Sequence, residues 1–405
     1  MSGDIRYEND ASHTFIFHGK GLNYFLISLV NVLLSIITLG IYIPWAMVRS
    51  RRYVYENLEL NGARFGYHAK GGALFLSWFV LLVFYVGVII INQSQPLVAM
   101  LVMLFLMIVT PFLLVKSLQY NALMTTLNNV RFSFHCPMKS VWWVMMGLPL
   151  LLLCLVAVVL FAIFKIMFFD LSSGDMISPD GIIVKIAVLI ILGVVGMGIT
   201  NGYVYAKWLK LMGKGGQYGM HKFDINVSTQ QCIKIGLFSL AILVPFILLI
   251  MYFLAPIFSS MVMPEMMGEA DEMAQFALLS QFQKQILACY LLYFAAILLS
   301  SAYIWQAYRN HFMNGLTLAD GRIRFSSTLT LPGVVLQIFL LAVVSMVTCG
   351  IAYPWMKMRF IRYQAAHSHL AGQLDGIDLA DHDEKVDRGV IAVLSRGLMP
   401  IVPFI

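Results

Sequence analysis

The sequence predicts an all-α polytopic membrane protein, with six to eight membrane-embedded helices in a repeated arrangement and short cytoplasmic β-hairpins. Three observations predict it. Of 405 residues, 60% are hydrophobic and 12% charged, against about 25% charged in a soluble domain. The apolar residues gather in long runs. The connections between runs alternate in charge, and the basic ones repeat a single residue pattern.

A helical span needs ~20 mostly apolar residues to cross ~30 Å of hydrocarbon. Eight segments approach this: 22–39, 73–92, 96–115, 141–164, 182–206, 232–258, 286–308 and 333–353. Lipid offers no partner to backbone N–H and C=O groups, so these segments are expected to be helices. The first follows a polar leader with few basic residues. No small-residue cleavage site comes after it, so no cleaved signal peptide is expected. The chain divides into a leader with a short strand (1–21), one membrane domain (22–363), and a tail (364–405) that is polar and then apolar.

Orientation follows from the loops. Connections 48–72, 116–140, 207–231 and 309–330 carry Lys and Arg, whereas 93–95 is uncharged and 165–181 and 259–285 are acidic. Translocated loops avoid Lys and Arg, so the basic connections are expected to face the cytoplasm. This distribution accounts for the net charge of +7. A nucleic-acid partner is not expected, because no basic stretch is interleaved with base-stacking aromatics.

The basic connections repeat. Each opens on an aromatic at a span's end: Trp45, Phe112, Tyr203 and Trp305. Four residues on stands a base: Arg49, Lys116, Lys207 and Arg309. Fifteen further on comes a base followed by Phe: Arg64-Phe65, Arg131-Phe132, Lys222-Phe223 and Arg324-Phe325. Between them lie turn signals, Asn61-Gly62, Asn128-Asn129, Gly215-Gly216 and Asp320-Gly321. Tight hairpin turns need positive φ, which Gly and Asn tolerate. Hairpins are therefore expected near 57–68, 124–135, 215–226 and 316–327. A partner two residues after the Phe (Phe65/Tyr67, Phe132/Phe134) places both on one strand face.

Both termini carry part of the unit. Phe15-Ile16-Phe17-His18 matches Phe65-Gly66-Tyr67-His68, and Thr348-Cys349-Gly350 through Pro354-Trp355 matches Thr38-Leu39-Gly40 through Pro44-Trp45. Arg359, Arg362 and Tyr363 then match Arg49, Arg52 and Tyr53. Only one apolar segment separates Phe15 from Trp45, and one separates Phe325 from Trp355. Either these segments are half-embedded or re-entrant, with both termini cytoplasmic, or they cross once and the terminal copies lie outside.

The run Thr38-Leu39-Gly40-Ile41-Tyr42-Ile43-Pro44-Trp45, then Val48-Arg49-Ser50-Arg51-Arg52-Tyr53 and Asn61-Gly62-Ala63-Arg64-Phe65-Gly66-Tyr67-His68, resembles the YjgN family of bacterial inner-membrane proteins. The resemblance covers essentially the whole chain. It implies a bacterial inner-membrane location, and neither an activity nor catalytic residues.

The chemistry expected from the residues is that of a base beside a bilayer. Arg49, Arg64, Lys116, Arg131, Lys207, Lys222, Arg309, Arg324 and Arg359 are candidates for binding anionic lipid headgroups or a small anionic solute. Each base near an anionic leaflet is worth ~1 kcal/mol. His18, His68 and His135 occupy equivalent places after the strand pair. A metal is one reading of them and a polar turn residue the other, and no metal or cofactor is expected. The five scattered cysteines give no ligand spacing. The Met-rich stretch 261–267 and the His- and Asp-rich tail 367–384 read as a loop and a solvated tail. Gly198 and Gly202 form a GxxxG packing face. No nucleophile can be placed with its base, so the chain is read as a non-enzyme. Two functions remain: transport or lipid handling, or a scaffold whose hairpins dock a protein partner.

Overall fold

The computed structural model describes residues 12–169, 179–257, 282–372, 386–387 and 389–396. The expected fold class stands: the molecule is largely helical, and among the described residues six helices are long and apolar enough to cross a membrane. The helices are α1 Gly21–Ile37, α2 Ile43–Glu56, α3 Gly71–Ser94, α4 Pro96–Leu123, and α5 Met138–Trp142, which continues through a π turn into α6 Leu148–Phe169. They continue with α7 Pro179–Gly215, α8 Thr229–Ile257, α9 Gln283–Gly315, α10 Leu331–Val347, α11 Tyr353–Ala366 and the short α12 Val390–Ser395.

The long helices form three antiparallel pairs, α3/α4, α6/α7 and α8/α9. Two further pairs, α1/α2 and α10/α11, are short. Helices α1 and α10 have 17 residues each, about 25 Å at 1.5 Å per residue, less than the ~30 Å hydrocarbon core. Both pairs turn at the same device. Leu39 and Gly40 have φ of 50° and 88°, and Cys349 and Gly350 have 49° and 86°. Thr38 Oγ1 donates to Leu34 O at 2.7 Å and accepts from the Tyr42 amide at 3.0 Å, and Thr348 does the same with Val344 and Ala352. The tips present bare apolar side chains, among them Ile36, Ile37, Leu39, Met346 and Val347.

Between the helix pairs lie the strands: β1 Ser12–Thr14, β2 Ile16–Phe17, β3 Leu58–Leu60, β4 Ala63–Tyr67, β5 Thr125–Leu127, β6 Val130–Phe134, β7 Gly216–Tyr218, β8 His221–Ile225, β9 Leu316–Leu318, β10 Ile323–Ser327 and β11 Ser368–Ala371. All join one antiparallel sheet, in the order β1-β11-β10-β9-β8-β7-β6-β5-β4-β3-β2. Strands β1 and β2 are one stretch of chain interrupted at Phe15, so the two ends of this order meet and the sheet is a closed ring. Copies at both termini therefore lie on the same side as the middle copies. Helix pairs α1/α2 and α10/α11 leave the ring and return to it, so the terminal copies do not lie on the opposite side from the middle ones.

The ring has five units, and the fifth is split between the chain's ends. Strand β11 supplies its first strand and β1–β2 its second. His369 lies opposite Thr14 as Glu59 lies opposite Arg64. Arg362 Nη2 donates to Gly19 O at 2.9 Å, repeating the bond from Arg52 Nη2 to Ala69 O at 2.9 Å. Gly21 packs on the Trp355 ring as Gly71 packs on Trp45, leaving no room for a Cβ at either glycine.

Candidate ligand site

Period-two alternation fixes which side chains face the ring's interior. The repeated phenylalanines point inward: Phe15, Phe65, Phe132, Phe223 and Phe325 all line one cavity of about 320 Å³. Ring centroids of Phe15 and Phe65 are 6.4 Å apart, of Phe65 and Phe132 6.2 Å, and of Phe223 and Phe325 5.9 Å. Opposite each Phe, on the next unit's first strand, stands Leu60, Leu127, Tyr218, Leu318 or Leu370, also lining the cavity. Nearer the helices lies a third level, Leu58, Thr125, Gly216, Leu316 and Ser368. Helix ends close that side with Asn121, Met212, Arg309, Phe312 and Gln364.

The bases of the second set turn the other way. Arg64, Arg131, Lys222 and Arg324 precede the inward phenylalanines and are exposed on the outside of the ring. Arg64 Nε lies 3.7 Å from Glu59. The first set is more varied. Arg49 and Arg359 are exposed, and Arg359 Nε donates to Gln337 Oε1 at 3.1 Å. Lys116 Nζ donates to Asp387 Oδ2 at 2.7 Å. Lys207 Nζ sits 5.3 Å from the Tyr203 ring centroid.

Arg309 is different. It is 4% exposed and lines the cavity. The gap-free sequence alignment set it beside Arg49, but the strand register does not. Thr317 pairs with Arg324 as Glu59 pairs with Arg64, so the loop Ala319–Arg322 is two residues longer than Asn61-Gly62. Counted back along the helix, Arg309 is equivalent to Arg51. Both make corresponding contacts: Arg51 lies over the Tyr67 ring and donates to Asn121 Oδ1 at 2.6 Å. Arg309 Nη1 donates to Ser327 Oγ at 3.2 Å and Nη2 to Ser368 Oγ at 3.1 Å, and its guanidinium carbon lies 5.4 Å from the Trp305 ring centroid. Among the described residues its Nε has no hydrogen-bond partner.

The residues that sequence reasoning missed are those facing inward: Arg51, Asn121, Gln364 and Ser368. The Phe-x-Phe and Phe-x-Tyr alternation assigns one strand face to the interior, but it carries no signal for Arg51, Asn121 and Gln364, which stand on helices.

The histidines latch neighbouring units. His18 Nε2 lies 2.9 Å from Glu59 Oε2, and His68 Nε2 3.0 Å from Thr126 Oγ1. Among the described residues no three His, Cys, Asp or Glu side chains gather in a metal-binding arrangement. Gly198 and Gly202 pack α7 on α8. The Met-rich stretch 261–267 and most of the acidic tail lie outside the described residues.

The family model described as "Bacterial protein of unknown function (DUF898)" matches residues 12–390. The chain is 41% identical to "Inner membrane protein YjgN" of Salmonella typhimurium over the full length of both. It is 38% and 37% identical to the proteins of that name from Escherichia coli O157:H7 and K12, again over the full length of both chains. No solved structure matches. With six helices able to cross a bilayer and a match along nearly its whole length, the chain belongs to the DUF898 family of bacterial proteins, whose named relatives are inner membrane proteins.

Proposed function

We propose that this is a non-catalytic, ligand-binding membrane protein of the bacterial inner membrane, with a cytoplasmic strand ring that receives an apolar or amphiphilic molecule in its hub. The cavity carries the reading: about 320 Å³, lined mostly by aromatic and aliphatic side chains with a few polar groups. Small-molecule sites typically span ~300–1,000 Å³ and have this kind of lining. Lipid handling fits it better than passage of a polar solute.

The outward bases Arg64, Arg131, Lys222 and Arg324, with Arg49 and Arg359, are assigned to anionic headgroups of the adjoining leaflet. A free sheet edge, open to a partner strand, would favour the scaffold alternative. Closure of the ring leaves no such edge among the described strands, which favours binding inside the ring.

A neutral dodecyl probe bearing a diazirine, added to the full chain in phosphatidylcholine nanodiscs, tests this. Cross-links are expected on the ring interior, at Tyr218 or Leu318, and Leu318→Trp should suppress them by filling the cavity. Cross-links confined to the long helices would overturn the reading.

A further inference from the structure

We infer that the cavity takes a single-chain amphiphile with one anionic oxygen-bearing head, carboxylate or phosphate, and that Arg309 is the residue that binds the head. The inference rests on the proposed ligand-binding reading and adds the ligand's charge and orientation.

A guanidinium has five N–H donors and cannot discharge by deprotonation. Burying it is costly unless it is paired with an anion or fully hydrogen-bonded. Arg309 is 4% exposed. Its two described side-chain hydrogen bonds run to the neutral hydroxyls of Ser327 and Ser368. Among the described residues its Nε is unpartnered, and no carboxylate forms an ion pair with it.

The comparison within the molecule sharpens this. Leu118, Leu209 and Ile361 occupy the equivalent helix position in three units, so a base there is not required to build a unit. Ser327 and Ser368 hold the two terminal nitrogens and leave Nε uncommitted. An oxyanion has the acceptor geometry that the remaining donors lack. Gln364, lining the cavity at the same end, offers a neutral carboxamide N–H beside it, while the Ser368 hydroxyl donates to Gln364 O at 2.7 Å.

Beyond Arg309 the wall turns apolar, through the leucine level to the five phenylalanines. A head against Arg309 therefore places an alkyl chain along the ring axis, between aromatic faces that offer area but no charge.

The experiment displaces the neutral dodecyl diazirine probe from the full chain in phosphatidylcholine nanodiscs at pH 8. The competitors are dodecan-1-ol, dodecanoate and dodecyl phosphate, each corrected for its partition into the bilayer. One anionic competitor, or both, is expected to displace the probe at a concentration on the order of tenfold below that of the alcohol. Which one does so identifies the head as carboxylate or phosphate. R309Q should bring the anions to the level of the alcohol and leave the alcohol unchanged. R309K, which keeps the charge but loses the fork, should show an intermediate preference.

Equal displacement by all three competitors in the wild type would overturn the inference while leaving the binding reading intact. A preference that persists in R309Q would do the same. If R309Q cannot be recovered folded, an undiminished preference in R309K overturns it. Absence of any ring cross-link with any probe instead removes the parent reading.

Discussion

Thr14 Oγ1 lies 3.1 Å from His369 Nδ1, across a strand pair whose members are 355 residues apart in sequence. The chain is thus closed on itself as one ring, with its first strand completing the unit that its last strand begins. One inter-unit backbone bond recurs five times around the ring. The amides of His18, His68, His135, Asn226 and Thr328 donate to the carbonyls of Asn57, Met124, Gly215, Gly315 and His367 at 2.8, 2.8, 2.8, 2.8 and 3.0 Å.

Closure predicts a cross-link. Ser12 and Ala371 are register partners, and Cα separations of paired strand residues fall within the range a disulfide can span. The double variant Ser12→Cys, Ala371→Cys should oxidise to an intramolecular bond, read by mass spectrometry of the linked peptides. A pair displaced along the strand, Ser12→Cys with Ser368→Cys, should not. Equal yields would mean the ends do not meet in this register.

The bond from Arg362 to Gly19 O should matter more than its copy from Arg52 to Ala69. Hydrogen bonds to charged groups contribute ~1.5–3 kcal/mol, and Arg362 additionally holds the two ends of the chain together. Arg362→Ala is expected to lower the melting temperature more than Arg52→Ala, and to expose β1–β2 to hydrogen exchange. Matching losses in both variants, without local exchange at residues 12–17, would show that the ends are held by other contacts.

Much of this was legible in the residues. The spans, the hairpin turns at Asn61-Gly62 and Asn128-Asn129, and the shared strand face of Phe65/Tyr67 and of Phe132/Phe134 follow from hydropathy, positive-φ preference and period two. Closure was not legible. It depends on pairing β1 with β11, and no local propensity in Ser12–Thr14 names a partner 355 residues away. The role of Arg309 was hidden for a different reason. A two-residue extension at Ala319–Arg322 lengthens one turn, so a gap-free alignment moves every residue before it by about half a helical turn. The base appeared to belong with the exposed Arg49 when it belongs with Arg51.

Sidedness gives a prediction that includes all four outward bases. Arg64→Cys, Arg131→Cys, Lys222→Cys and Arg324→Cys, each in a background lacking the native cysteines, should react with an impermeant maleimide in inverted membrane vesicles and not in intact cells with permeabilised outer membranes. One ring requires all four to behave alike. Reaction from the periplasmic face at every position would reverse the proposed orientation, and mixed behaviour would break the ring itself.

The tail should come loose in acid. Asp387 is held below the usual carboxylate range, first by its hydrogen bond from Lys116 and then by the Gly389 amide. A carboxyl depressed in the folded state contributes stability above its unfolded pKa and loses it as pH falls through the folded value. Docking of α12 should therefore weaken below about pH 4, read as faster hydrogen exchange in residues 389–396. Because Asp387 is exposed, the effect should be small and sensitive to salt. Lys116→Ala should reduce the pH dependence to the smaller part owed to the Gly389 amide and Arg396, while α12 stays held by the 2.5 Å bond from Ser77 Oγ to Leu394 O and by Arg396 over the Tyr120 ring at 5.2 Å. Exchange that keeps its full pH dependence in Lys116→Ala would assign the effect to another group.

Helix pair α7/α8 offers the sharpest steric test. A Cβ built at Gly202 would lie 2.5 Å from Ile233 Cα and 2.7 Å from Cys232 O. Both obstacles are backbone, so neither can rotate away. At Gly193, by contrast, the nearest atom is a Leu160 methyl at 3.4 Å, which can move. Gly202→Ala is expected to cost ~1–3 kcal/mol or more through separation of the helices, while Gly193→Ala should be near neutral or slightly stabilising through helix propensity. Thermal melts of the two variants in one detergent decide it. Equal melting temperatures would mean that α7 and α8 do not pack at the separation described, and the placement of β7–β8 beneath them would need revision.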